Sequence, residues 1–152
     1  RLEAEIIFLG DGEKKDFLKE LSKKISKSIK IEFKGLVSRE ITIEHMLEAD
    51  VYISLSKGEG LPIAALEAMY AGCFMLLSKI PPHIEISPPS ERCYFVNTEC
   101  RKEIINSLNF LSANSKYFKN NRERSRSYSI NNFGISNMLK DYKKVYDSIL
   151  EQ

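Results

Sequence analysis

The sequence predicts an α/β fold: a doubly wound, Rossmann-like parallel sheet followed by C-terminal helices. Three observations predict it. Up to Asn97, short β-rich runs alternate with helical patterns. Most of those runs are nearly continuously apolar instead of alternating, as in strands covered on both faces. Beyond Asn97 the chain reads as helix to its end.

Taken in order, EIIFLG (5–10) is a strand closed by a Gly-Asp-Gly turn. EKKDFLKELSKKISKSI (13–29) follows, with Phe17, Leu18, Leu21 and Ile25 spaced for one helix face. IEFKG (31–35) is the second strand, TIEHMLEAD (42–50) a short helix and VYISLS (51–56) the third strand. A helix within EGLPIAALEAMYAG (59–72), the strand CFMLLS (73–78), a Pro-rich loop IPPHIEISPPS (80–90) and the strand CYFVN (93–97) complete the alternation. Helices are expected over 101–113, 116–129 and 135–150. The last gathers Ile135, Met138, Leu139, Tyr142, Val145, Tyr146 and Ile149 on one face, a stripe that needs a cover. Ligands of such sheets bind outside the carboxyl ends of the strands, where residues 10–12, 35, 56–60 and 78–82 fall.

A length of 152 residues with 43% hydrophobic content suits one domain. Lys and Arg number 23 against 21 Asp and Glu, too even a balance to point to nucleic acid or to an acidic partner of the whole domain. No apolar stretch reaches membrane-spanning length, and the N-terminus does not read as a signal peptide; a soluble, intracellular protein is expected. Cys73, Cys93 and Cys100 form neither a CxxC pair nor an even framework and read as reduced thiols.

The informative segment is EGLPIAALEAMYAG. Pro62 fits the first turn of a helix, where its missing N–H costs nothing, and Gly72 suits the left-handed residue just past the end. Between them every residue but Glu67 is uncharged, which leaves no solvated face and predicts a buried helix. A carboxylate there is costly unless it is hydrogen-bonded. Upstream, KGEG (57–60) leads small residues into a helix N-terminus, whose free amides and positive dipole end favour an anion such as phosphate. Glu67 lies about 8 Å further along the axis, within reach of a ribose diol. A purely structural helix is the competing reading, and spacing does not decide: the Glu59–Glu67 separation recurs at Glu5 and Glu13, and at Glu32, Glu40 and Glu48.

EGLPIAALEAMYAG resembles the E-x7-E signature of family-4 retaining glycosyltransferases of the GT-B fold, usually EG(F/L)(G/P)xxxxEAMAxG. The likeness extends in order over nearly the whole chain. IIFLGDG is similar to the family's second C-domain strand and Gly-rich turn, IEFKGLV to its F-x-G-x-V segment, LEADVYISLS to its A-D-V-x-x-x-P-S strand, and CYFVN to its closing region. The resemblance implies the donor-binding half of an enzyme that moves a sugar, with retention of configuration, from a nucleotide diphosphate to a glycan or lipid-linked acceptor. Residue by residue, it places Glu59 beside the transferred sugar as the catalytic-site carboxylate. It places Gly60, Leu61 and Pro62 at the diphosphate loop, although Pro62 offers no N–H, and Glu67 on the ribose. Gly35, Leu36 and Val37 meet the base, and Gly12 lies in the Gly-rich turn. It implies no metal; no D-x-D motif is present.

Departures from the family pattern shape the expectation. The basic G-R and Lys that neutralise the donor diphosphate would precede this sequence, as would the acceptor-binding N-terminal domain with its histidine. Leu55 stands for the usual Pro, Tyr70 for an Ala and Phe74 for a Pro. Residues 1–152 therefore read as a single donor-binding domain lacking its first strand and its N-terminal partner, and inactive alone. A non-catalytic nucleotide-binding or assembly module on the same fold is the alternative. A flavodoxin-like signalling domain would want an acidic cluster at strand ends, which Asp11 alone does not make. Glu85 matches a Glu the family often carries in this loop, and His83 is expected as a partly exposed loop residue without a role. His45 is assigned nothing. The cluster Lys116, Lys119, Arg122, Arg124 and Arg126 reads as a solvated face, with peripheral contact to anionic lipid on the cytoplasmic membrane face as the bolder option.

Overall fold

The computed structural model describes residues 4–24, 29–87 and 92–150; Ile25 and Pro88, Pro89 and Ser90 of the expected Pro-rich loop lie outside them. The chain forms two compact units, Arg1–His45 and Met46–Gln152. The element order is β1 (Ala4–Leu9), α1 (Lys15–Ser22), β2 (Ile29–Gly35), α2 (Arg39–Glu48), β3 (Val51–Ser54), α3 (Ile63–Ala71), β4 (Phe74–Ser78), α4 (Pro81–Ile86), β5 (Cys93–Val96), α5 (Arg101–Ala113), α6 (Ser115–Asn120), α7 (Arg122–Phe133) and α8 (Ile135–Leu150). Every strand pair is parallel and joined through a helix, the connectivity of a Rossmann-like α/β fold. The strands pair as two sheets, β1-β2 and β3-β4-β5.

In the first unit, Phe8 stacks on Phe33 across the strand pair, with centroids 4.8 Å apart. Lys30 bridges Glu5 and Glu32 at 2.6 and 2.5 Å, and Lys34 reaches Glu32 at 2.6 Å. The two ammonium groups hold the Glu32 carboxyl down at about 2. The spacing of Phe17, Leu18 and Leu21 gave an apolar face to α1, yet the helix buries no residue.

The second unit holds the core. All five residues of β4 are buried, as a central parallel strand requires, and Ala68 and Met69 of α3 and Val96 of β5 close on it. Phe74 packs against Phe118 (4.5 Å) and Phe110 (6.0 Å), and Phe110 against Tyr94 (5.2 Å). This aromatic cluster binds α5 and α6 to the sheet.

Three local expectations change. The Pro-rich stretch contains a helix, α4: Pro81 and Pro82 occupy its first turn, where a proline fits, and His83 and Ile86 bury one face. The helix expected over 116–129 is two, broken at Asn121, whose side chain donates back to the Tyr117 carbonyl at 2.8 Å; Asn114, ending α5, does the same to Phe110 at 2.7 Å. The helix α8 keeps the expected bounds and stripe but buries none of it. No helix among the described residues is long and apolar enough to cross a membrane.

Candidate functional site

The helix α3 begins with Pro62 as its N-cap residue and ends at Gly72, whose φ of +95° is the left-handed cap the sequence predicted. The Gly72 and Cys73 amides donate to the Met69 and Ala68 carbonyls, both at 3.0 Å. A side chain at position 72 would start 3.1 Å from the Arg122 backbone oxygen, so glycine is required there twice over.

That C-terminal end is clamped by α7. Arg122 donates to the carbonyls of Ala49 (2.8 Å), Ala71 (3.1 Å) and Leu47, so one guanidinium serves the carboxyl ends of both α2 and α3. Ser125 donates to the Cys73 carbonyl and Arg126 to that of Tyr70, both at 3.1 Å. The basic cluster is therefore not a uniform solvated face. Lys116 and Arg124 are exposed, Arg122 and Arg126 are bound into the fold, and the Lys119 side chain lies outside the described ones. Nothing local in the sequence marks which arginines do this.

The N-terminal end is open. No side chain caps α3, and a Cβ built at Gly58 or Gly60 would meet nothing within 4 Å. The Ile63 amide folds back on the Leu61 carbonyl at 2.9 Å. Leu61 and Glu59 are exposed and Pro62 is buried. The expectation of a helix without a solvated face fails: Ile63 is 59% and Tyr70 55% exposed, while Ala65, Ala68, Met69 and Ala71 supply the buried side. An all-apolar composition cannot reveal which half of the surface the sheet covers.

Glu67 sits half-buried at the boundary of the two faces. Tyr52, in β3, lies in the field of both Glu67 and Glu59. Burial pushes the Tyr52 phenol up, and the negative field of Glu59, then of Cys73 and Glu67, pushes it the same way. Both carboxylates thus act on one phenol. Sequence reasoning missed Tyr52, which had no motif to mark it.

His83 overturns its reading as an idle, partly exposed loop residue: it is fully buried in α4. Its Nδ1 lies 3.0 Å from the Ser78 hydroxyl and 3.1 Å from the Ser78 carbonyl. The Ser78 hydroxyl donates to the Ser56 carbonyl at 2.5 Å. A carbonyl only accepts and that hydroxyl's proton is already used, so Nδ1 carries the hydrogen. The chain His83, Ser78, Ser56 thereby pins the loop that leads to Glu59 and Gly60.

The remaining predicted residues lie in the first unit, at the carboxyl ends of β1 and β2. The Gly10 amide donates to the Gly35 carbonyl at 2.7 Å, and both glycines have left-handed φ, +103° and +72°. Gly12, in open space, donates to Asp11 at 2.9 Å, and Lys15 pairs with Asp11 at 2.9 Å. Leu36 is 82% exposed and Val37 half-buried. Among the described residues, no three His, Cys, Asp or Glu cluster as metal ligands would.

A family model described as "Glycosyl transferases group 1" matches residues 1–131. The chain belongs to this glycosyltransferase family. Over 54 residues it is 41% identical to the GDP-mannose:cellobiosyl-diphosphopolyprenol alpha-mannosyltransferase of Xanthomonas oryzae pv. oryzae, a match covering 36% of this chain and 14% of that protein. Among solved structures, the glycosyltransferase fold is similar to Anabaena Alr3699/HepE in complex with UDP and glucose: TM-score 0.72, 17% identity, 93% of this chain and 40% of that one. It is also similar to the catalytic domain of Helicobacter pylori cholesterol-alpha-glucosyltransferase, with TM-score 0.68, 19% identity, and 84% and 78% of the two chains covered. The C-terminal domain of a Francisella tularensis group 1 glycosyl transferase, LpcC, gives TM-score 0.66 at 21% identity, with 87% and 86% covered. These likenesses establish the GT-B glycosyltransferase fold. The chain spans well under two thirds of the curated relatives it matches.

Proposed function

We propose that this chain is the donor-binding domain of a retaining glycosyltransferase, taking a nucleotide-diphosphate sugar and serving a glycan or lipid-linked acceptor. One observation carries the reading: the uncapped N-terminus of α3 opens beside Gly58 and Gly60, with Glu59 at its mouth and half-buried Glu67 further along the same helix. Backbone amides near Gly60 and Leu61 take the diphosphate, and Glu67 takes the ribose hydroxyls. Glu59 contacts the transferred sugar. Gly12 and the segment Gly35, Leu36 and Val37 serve the Gly-rich turn and the base. The UDP and UDP-glucose complexes of the Anabaena fold neighbour and the GDP-mannose donor of the Xanthomonas relative support a nucleotide-sugar donor and leave the base open.

In the transfer itself, the acceptor hydroxyl attacks the anomeric carbon from the face the diphosphate leaves. Its proton passes to the departing phosphate oxygen. The chemistry runs without a metal, so chelation by EDTA leaves turnover of the longer enzyme unchanged. The residues that neutralise the diphosphate and the main acceptor-binding domain lie in a longer protein, working on the cytoplasmic membrane face; that domain covers the apolar stripe of α8. The 152 residues alone turn over no donor.

Calorimetric titration with UDP, GDP and ADP tests the reading. One of them binds the wild-type chain, and Glu67→Ala weakens it by about tenfold or more, the loss of one good charged hydrogen bond. Binding indifferent to Glu67, or none at all, favours the non-catalytic module.

A further inference from the structure

A cavity of about 410 Å³ opens at the carboxyl ends of β4 and β5, within the second unit and apart from the residues assigned above. Ser78 and Val96, the last residues of the two strands, form its floor; Lys57, Lys79, Thr98, Glu99 and Glu103 are among the residues around it. Its size falls in the range of small-molecule sites. We infer that this cavity is a subsite for a neutral, hydroxyl-rich ligand, a sugar unit of the acceptor glycan.

Charge decides the ligand class. Two lysines face two carboxylates: Lys57 lies 3.8 Å from Glu99, and Glu103 accepts the Asn97 amide at 2.8 Å. A phosphate placed among them would be attracted and repelled by equal numbers of charges. Equal numbers of opposite charges at similar reach nearly cancel, and desolvation opposes entry. A polyol meets no such cancellation. Its hydroxyls donate to carboxylates and accept from ammonium groups and from Thr98, and each bond is charge-assisted.

The walls are set before any ligand arrives. Asn97 accepts the Glu99 amide at 3.0 Å, fixing the turn that carries Thr98. His83 braces Ser78, and Ser78 holds the Ser56 carbonyl, so the cavity floor and the loop that includes Lys57 are one hydrogen-bonded piece. Glu59 is two residues beyond Lys57. Assignment of the sugar as acceptor rests on the donor reading of that loop; the carbohydrate site itself does not.

The test is amide chemical-shift mapping on the 152-residue chain, titrated separately with cellobiose, inorganic phosphate and the nucleoside diphosphate that binds. Cellobiose is expected to shift the amides of Lys79, Asn97 and Thr98. Lys79→Ala and Thr98→Ala, which leave the remaining spectrum in place, each weaken that binding by about three- to tenfold. The subsite is overturned if cellobiose leaves these amides unmoved, if phosphate moves them instead, or if neither variant changes the affinity. Nucleotide shifts near Gly60 and Glu67 report on the donor loop independently. Cellobiose binding without them retains the carbohydrate site and removes its acceptor role.

Discussion

At its carboxyl end α3 is held by Arg122, Ser125 and Arg126 of α7 and turned by a left-handed glycine, whereas at its amino end no side chain caps it and two glycines face open space. The same nine-residue helix thus spends its unpaired carbonyls on its own protein and keeps its unpaired amides available. Every helix has both kinds of orphan group. Which kind a protein leaves unsatisfied shows where stability ends and ligand binding begins.

The largest expected effect breaks the closed end. Arg122→Ala removes three hydrogen bonds to backbone carbonyls and should lower unfolding free energy by about 2–4 kcal/mol in urea titration. Arg122→Lys, a point charge without the fork, should recover less than half of that loss. Full stability in the alanine variant would mean the clamp is incidental.

Alkaline pH probes the same end next. Cys73, its Sγ 3.1 Å from the Met46 carbonyl, is pushed by burial up to about 11 from 9.0. The unfolded chain loses this proton near its ordinary value while the folded chain keeps it, so stability is full below that value and falls as pH rises toward 11. The loss by about pH 10.5 is roughly 2 kcal/mol. Cys73→Ala should flatten that part of the pH profile. For the same reason Cys100, only partly buried, should be alkylated well before Cys73.

Gly72→Ala is a smaller insult, about 1–2 kcal/mol by thermal or urea unfolding, from the left-handed φ and the crowding against Arg122. The smallest stability effect belongs to the open end. Gly60→Ala should stay within about 0.5 kcal/mol of wild type, because nothing of the chain lies near its Cβ. Its nucleoside diphosphate affinity should nonetheless drop by about tenfold in calorimetry, as the methyl intrudes where the diphosphate approaches. A Gly60→Ala chain that is destabilised but binds normally would reverse the contrast between the two ends.

Much of this was legible from local chemistry. Pro62 and Gly72 framed α3, the apolar runs marked β3, β4 and β5, and the heptad-like stripe fixed both ends of α8. The break between α6 and α7 was also there to be read in the Asn pair at 120 and 121, since an asparagine side chain competes for helix carbonyls. Two prolines disguised α4 as a loop, although the first turn is where a helix tolerates them. The glycines of the open end were visible as small residues; that open space surrounds them was not.

The sequence by itself determined the alternation of strands and helices, the family, and the candidate carboxylates Glu59 and Glu67, because turn chemistry, periodicity and motif are properties of neighbours along the chain. Only the tertiary structure decided that Arg122 closes two helices, that His83 is buried behind Ser78, and that Tyr70 and Ile63 of an apolar helix face outward. Those outcomes depend on groups 5 to 75 positions apart meeting in space. Burial and hydrogen bonding are set by such meetings, and no local pattern encodes them.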